Sequence, residues 1–480
     1  MQILFESSDE SSLKGLGIIP YQISRFDDAD KSVPHMGWNT AEPLLIPYSS
    51  SSSSPSASTL PNYYYFVHSY CAKLDLRDGR CPLQEVMEWA NTVTRYGDEM
   101  FISSVRKNRI FGSQFHPEKS GTMGLKLIDE WLKNQSPVSN SDHLSHLVTP
   151  NHTLTKRIIA CMDVRTNDQG DLVVTKGDQY DVREKSMTTT TVAGSVRNLG
   201  KPISLASKYY TQGADEICFL NITSFRHSPL LDQPMLAIVE ATSKEIFVPL
   251  TIGGGIKDTI DPDGTHHSAL EVASTYFRAG ADKVSIGSEA VYAVENWLKT
   301  GEKGKGAIET IAHTYGKQAV VVSIDPKRKY VDRTTYDGPY KNELVYGKPN
   351  GPDNERGQAW WYQCTVSGGR EYRPLSVVQL AKGVEELGAG EILVNSIDRD
   401  GTGLGFDVDL IHLVKKNVKI PVVASSGAGC VGDFVEVFQK TGAEAALAAG
   451  IFHREEVKIE EVKEALKGAG MHAREDKRNL

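Results

Sequence analysis

The chain has 480 residues, 40% of them apolar and 24% charged, which suits an ordinary globular protein with two or more domains. A net charge of −8 offers no nucleic-acid surface, and no apolar run approaches the length of a membrane span. The six cysteines (Cys71, Cys81, Cys161, Cys218, Cys364, Cys430) are scattered without a CxxC. They point to a reducing compartment with no zinc site, and no metal or cofactor is expected.

Met1–Glu10 has neither the basic start nor the cleavage site of a signal peptide. It reads as the interior of a helix without a cap, as if the chain began inside a domain. Residues 1–133 form a first region with hydrophobic stretches at Tyr63–Tyr70 and Arg109–Glu118 and a closing amphipathic helix over Met123–Leu132. The serine run Ser49–Ser54 is low complexity and reads as a loop. Residues 134–155 form a polar linker.

From residue 156 to residue 480, strand-like runs alternate with helical ones. Eight runs begin near Arg157, Asp215, Val248, Asp282, Ala319, Glu391, Ile420 and Glu444. This alternation predicts βαβ units closed into a (β/α)8 TIM barrel, with a long loop over 166–204 and a polar insertion over 330–372. The second half repeats the first. Asp163 and Asp325 end similar apolar strands 162 residues apart, and Gly280-Ala-Asp-Lys and Gly442-Ala-Glu-Ala are offset by the same 162.

Asp163 and Asp325 fall at the C-terminal ends of their strands, where barrels keep their chemistry. Two carboxylates in unlike environments can divide the work of general acid and general base. The plainer alternative is two structural strands that end in Asp. Gly253-Gly254-Gly255 and Ser425-Ser426-Gly427 each follow an apolar strand and precede a helix, which suits a phosphate or simply a tight turn. Gly287–Ser288 and Gly450 would complete the two pockets. Two such loops in register favour phosphate, and a long substrate phosphorylated at both ends. Asp400 and Gly401 suit hydrogen bonding to that substrate. Lys176 is either an anion partner or a solvated loop lysine.

The motifs Ile-Ala-Cys-Met-Asp163, Gly-Gly-Gly-Ile256, Val-Ser-Ile-Asp325, Asp398-Arg-Asp400-Gly-Thr402 and Ala-Ser-Ser-Gly-Ala-Gly429 resemble those of the cyclase of imidazole glycerol phosphate synthase, over the whole barrel. The resemblance implies Asp163 and Asp325 as the catalytic pair. The implied substrate is a phosphoribulosyl-formimino aminoimidazole carboxamide ribotide. With ammonia it gives imidazole glycerol phosphate and the aminoimidazole carboxamide ribotide. The resemblance also turns Arg157, Glu216, Lys283 and Glu391, by default a structural layer of charge at the barrel's N-terminal face, into an ammonia gate.

The first region resembles the partner of that cyclase, a class I glutamine amidotransferase of doubly wound α/β fold, incomplete here. The carriers are Pro34-His-Met-Gly-Trp38-Asn39, Tyr64–Tyr70 and Gln114-Phe-His116-Pro-Glu118. His116 and Glu118 match the base and its orienter. The family's Cys motif runs directly into Met-Gln-x-Leu-Phe, which is Met1–Phe5 here, so the nucleophile is expected three residues before Met1. Neither Cys71 nor Cys81 is in register to replace it. The resulting expectation is a bifunctional synthase of histidine biosynthesis, driven here by ammonia, cytoplasmic or plastid, and monomeric. The alternatives are the related barrel isomerase, which needs no amidotransferase, and a decayed non-catalytic binding protein.

Overall fold

The computed structural model describes residues 1–44, 62–74, 84–133, 150–166, 172–175, 201–222, 233–261, 263–349 and 355–475. The serine run, Cys81, Lys176 and most of the expected linker lie outside these. The chain forms two compact units, Met1–Lys156 with His472–Leu480, and Arg157–Met471.

The second unit is a closed barrel of parallel strands: β1 (Arg157–Thr166), β2 (Glu216–Asn221), β3 (Leu250–Gly253), β4 (Lys283–Ile286), β5 (Val320–Val331), β6 (Glu391–Asn395), β7 (Val422–Ser425) and β8 (Ala445–Ala448). Their order is β4-β3-β2-β1-β8-β7-β6-β5, and β4 pairs with β5 to close the ring. Each strand starts within two residues of its expected start.

A period of two writes the barrel interior into the sequence. Along β1 the alternate residues Arg157, Ile159, Cys161 and Asp163 share one side; along β6 the set is Glu391, Leu393 and Asn395. Ile159, Cys161, Cys218, Val321, Leu393, Val423 and Leu447 form one buried cluster. Arg157 and Glu391 precede that apolar layer in their strands, and Asp163 and Asn395 follow it. The barrel is therefore filled in layers, with apolar packing between a charged floor and a polar mouth.

The insertion after Asp325 is not the wholly polar loop expected. β5 runs on to Val331 and pairs antiparallel with Ala359–Val366, so that Arg328 faces Tyr362. Trp360, Trp361 and Tyr362 are buried there. The polar surroundings of this stretch hid its strand alternation.

In the first unit, Gln2–Leu4 is a single 3-10 turn and Phe5–Ser8 a strand, which corrects the expected helix interior. The strand pairs parallel with Ile19–Arg25, and buried Phe5 anchors it in the core. His35–Thr40 and Tyr63–His68 form a separate antiparallel pair, and the closing helix runs over Gly121–Lys133.

Candidate active site

A cavity of about 660 Å³ opens at the C-terminal end of the barrel. It is lined by Asp163 of β1, Asp325 of β5, Asp400 and Gly401 of the loop after β6, Ser426 and Gly427 after β7, and Gly450 after β8. β1 and β5 are four strands apart either way round the barrel, so the two carboxylates approach the cavity from opposite walls.

Their surroundings differ. Burial, then the charge of Asp400, pushes the Asp163 carboxyl up to about 7. Burial also raises Asp325, against a hydrogen bond from the Asn395 amide at 3.0 Å, and Asp400 adds to the rise. Asn395 was not singled out from the sequence. Its signal was its place at the C-terminal end of β6, on the same alternation as Glu391 and Leu393. His453 and Arg454 also line the cavity and were also missed.

The loop after β7 is shaped for close approach. Ser426 has φ of 71° and Gly427 of 99°. A Cβ on Gly427 would stand 2.3 Å from the Gly405 carbonyl oxygen, so glycine is required there. Gly450 opens the short helix Gly450–His453, and Arg454 lies against it: a Cβ on Gly450 would stand 2.8 Å from Nη1.

The other expected phosphate loop stands apart from this cavity. Gly254 and Gly255 follow β3 with positive φ, and Gly287 caps the helix Ser288–Thr300, but none of these, nor Ser288, lines it. The Ser288 hydroxyl accepts instead the backbone N–H of Ser367, on the turn that follows Ala359–Val366, at 3.0 Å.

At the opposite end of the barrel, Arg157, Glu216, Lys283 and Glu391 form a closed ring of ion pairs. Arg157 donates to Glu216 at 2.9 Å and also to Glu391, and Lys283 bonds Glu216 at 2.6 Å and Glu391 at 2.7 Å. All four are buried. Burial alone would raise the Glu391 carboxyl, but the Arg157 and Lys283 charges outweigh it and hold it at about 2. The ring carries two charges of each sign and closes the barrel floor.

In the first unit, His116 Nδ1 and Glu118 Oε1 are 2.8 Å apart, both largely exposed. Burial works against the Glu118 carboxylate, yet the His116 hydrogen bond and charge lower it below its usual value. Cys71 is fully buried, and burial, then Glu99, pushes its thiol well up.

A closed parallel barrel with two unlike carboxylates over an apolar layer, ringed by glycine-rich turns, is a (β/α)8 barrel with its cavity where barrel enzymes keep theirs. A family model described as "Histidine biosynthesis protein" matches residues 157–458. "Imidazole glycerol phosphate synthase hisHF" of Emericella nidulans is 52% identical over 478 residues, 99% of this chain and 84% of its own. The protein of that name from Arabidopsis thaliana, described as chloroplastic, is 52% identical over 470 residues, 97% of this chain and 74% of its own. "Imidazole glycerol phosphate synthase subunit HisF" of Haloarcula marismortui is 38% identical over 322 residues, 67% of this chain and 99% of its own. The chain belongs to the imidazole glycerol phosphate synthase family of histidine biosynthesis.

Proposed function

We propose that the barrel closes the imidazole ring of phosphoribulosyl-formimino aminoimidazole carboxamide ribotide with ammonia, using Asp163 as proton donor and Asp325 as proton acceptor. The observation that carries this reading is the unlike setting of two carboxylates in one cavity. Asp163, raised to about 7, holds a proton to give at neutral pH, whereas the Asn395 amide favours the charged form of Asp325. One substrate phosphate sits at Ser426–Gly427 and Gly450, in the cavity with the acids. The other sits at Gly254–Gly255 and Gly287–Ser288, and Lys176 pairs with an anionic group of the substrate. Ammonia enters through the floor, where Arg157, Glu216, Lys283 and Glu391 act as the gate.

In the first unit, His116 and Glu118 keep the geometry of a base and its orienter, but Cys71, buried and held neutral, is no nucleophile for them. On this reading the 480-residue polypeptide is an ammonia-dependent synthase that works as a monomer in the cytoplasm, with a plastid as the alternative.

The test is a ligand-bound structure with the bisphosphorylated substrate. Phosphates at both loops, with the reacting centre between Asp163 and Asp325, support the reading. Both phosphates on one side of the barrel would overturn it.

A further inference from the structure

We propose that Arg328 is a positioning residue for the ring closure: it fixes the loop between Ser396 and Asp407, and with it Asp400, against the strand that carries Asp325. The inference rests on the reading of Asp163 and Asp325 as the reacting acids.

The loop has turns of its own, with the Asp400 N–H on the Ser396 carbonyl at 3.0 Å and the Thr402 N–H on the Arg399 carbonyl at 3.2 Å, and the Gly405 N–H reaches the Gly427 carbonyl at 2.8 Å, but its glycines leave these turns little stiffness. Gly401, Gly403 and Gly405 all have positive φ, three of the most permissive residues within five positions. Its middle, Asp400 to Gly403, lines the cavity. Both ends are tied to Arg328, three residues beyond Asp325 on the same strand. At one end, the Arg328 backbone N–H donates to Asp398 Oδ2 at 2.8 Å, and the Ile397 N–H donates to the Pro326 carbonyl at 3.3 Å. At the other, the guanidinium donates to Asp407 Oδ2 through Nε at 3.2 Å and Nη2 at 2.8 Å.

The rest of the cluster fixes the guanidinium itself. Nη1 donates to Glu355 at 2.6 Å, and Glu355 also accepts from Arg399, next to Asp400, at 3.0 Å. The Tyr362 hydroxyl donates to Asp407 Oδ1 at 2.8 Å, and the Ser396 hydroxyl to Oδ2 at 3.3 Å. The Trp360 ring lies 4.6 Å from the guanidinium carbon. The side chains of Arg328 and Asp407 are 4% and 2% exposed. A buried ion cluster is a poor source of net stability, because desolvation offsets most of its attraction. What a planar fork of donors supplies is a fixed geometry. The site 162 residues earlier is Thr166, so the clamp serves one half of the barrel only.

The position of Asp400 matters because its charge acts on both acids. Around the loop the charged groups are Arg328, Arg399, Glu355, Asp398 and Asp407, with Lys327 acting on Asp398 and the Asp433 carboxylate beside Gly405. Across the cavity are Asp163, Asp325, the His453 imidazole and the Arg454–Glu456 pair. If the clamp loosens, Asp400 recedes and both acids become stronger.

The test uses the 480-residue chain with ammonium salt as nitrogen donor. Arg328→Lys keeps the positive charge but loses the fork, and Tyr362→Phe removes one uncharged partner of Asp407. A movement of the pH limbs in either variant therefore reports the loop and not a lost charge. For Arg328→Lys, kcat should fall about tenfold or more, since small misplacements near the chemistry are costly. Both limbs of its pH–rate profile should move to lower pH. Tyr362→Phe should move them the same way, with a smaller fall. A folded Arg328→Lys with unmoved limbs overturns the proposal whatever its rate, because an arginine that only anchored the hairpin would change stability and not the profile. If Arg328→Lys does not fold, Tyr362→Phe decides by the same criterion. Asp163→Asn and Asp325→Asn separate the two levels: if they retain turnover the acids are misassigned, and if they are inactive while the clamp variants match the parent, only the clamp fails.

Discussion

The side-chain amide of Asn395 donates to Oδ1 of Asp325 at 3.0 Å and to the Ser323 hydroxyl at 2.9 Å, which fixes its orientation. A hydrogen bond to the ionised form of a carboxyl favours that form. Asn395→Ala removes it, so Asp325 should ionise at higher pH, and the acidic limb of kcat/KM for ammonia-dependent turnover should move upward. The measurement is a pH series on parent and variant. An unmoved limb would place the base elsewhere.

The two acids themselves give the largest effects. Asp163→Asn and Asp325→Asn should each lower ammonia-dependent kcat at least about a hundredfold, the size of one general acid–base contribution. KM should change little, because the phosphates carry binding. Any residual activity in Asp163→Asn should lack the parent's alkaline limb, and in Asp325→Asn its acidic limb. Near-normal turnover in both variants would rule out this chemistry.

Much of this site was legible because the barrel interior follows a strict alternation. Arg157, Ile159, Cys161 and Asp163 are floor, packing, packing and mouth of one strand, and a reader who finds the strand can place all four. The same rule could have found Asn395, two residues beyond Leu393. His453 and Arg454 were not legible in this way. They reach the cavity from the end of the four-residue helix after β8, a stretch too short for a helical period to show which way a side chain points. The hairpin behind Asp325 was missed because its strands are flanked by lysine, arginine and tyrosine. Its burial depends on Arg328 finding Asp407 and Glu355, 79 and 27 residues away in sequence.

The floor ring predicts a stability change with a definite sign. Glu391 is held at about 2, below the ordinary 4.5, so its contribution is present above pH 4.5 and is lost as the pH falls through about 2. Glu391→Gln leaves Arg157 and Lys283 to share Glu216. Breaking a buried pair in this way costs about 3–5 kcal/mol. Thermal melts at pH 7 should show a clearly lower transition for the barrel, and the gap between variant and parent should shrink toward pH 2. A variant as stable as the parent would mean that water already relieves the ring.

In the first unit the buried histidines predict acid sensitivity. His68 Nδ1 lies 2.8 Å from the Tyr70 carbonyl, so it carries the proton. His68 Nε2 then accepts from His35 Nδ1 at 3.1 Å, and His35 Nε2 accepts from the Asn39 amide at 3.2 Å. Burial pushes His68 down to about 3 and His35 well below its ordinary 6.5, where the charge of His68 adds to the effect. The folded state thus resists protonation. Its stability is fully present above about pH 6.5 and declines as the pH falls toward 3, by on the order of 4 kcal/mol for His68 alone. Near-ultraviolet circular dichroism from Trp38 and Tyr96 should be lost over this range. His68→Asn should start lower and decline less steeply. A signal unchanged down to pH 4 would contradict the neutral chain of imidazoles.

Glutamine must be cleaved by a thiolate before its ammonia can be used, because water alone attacks an amide far too slowly. His116 and Glu118 would activate such a thiol, but Cys71 is buried with its thiol raised well above the usual value. The barrel, by contrast, brings both carboxylates and the Ser426–Gly427 loop to one cavity. The purified 480-residue polypeptide should therefore consume the bisphosphorylated substrate with an ammonium salt and not with glutamine. Its rate should rise toward pH 7 as more of the salt becomes ammonia, and level off above it, where loss of the Asp163 proton offsets the gain. Parallel assays with the two donors check this, with Cys71→Ala and Cys81→Ala as controls. Glutamine-dependent turnover that survives Cys71→Ala and vanishes in Cys81→Ala would make Cys81 the nucleophile and overturn this account of the first unit.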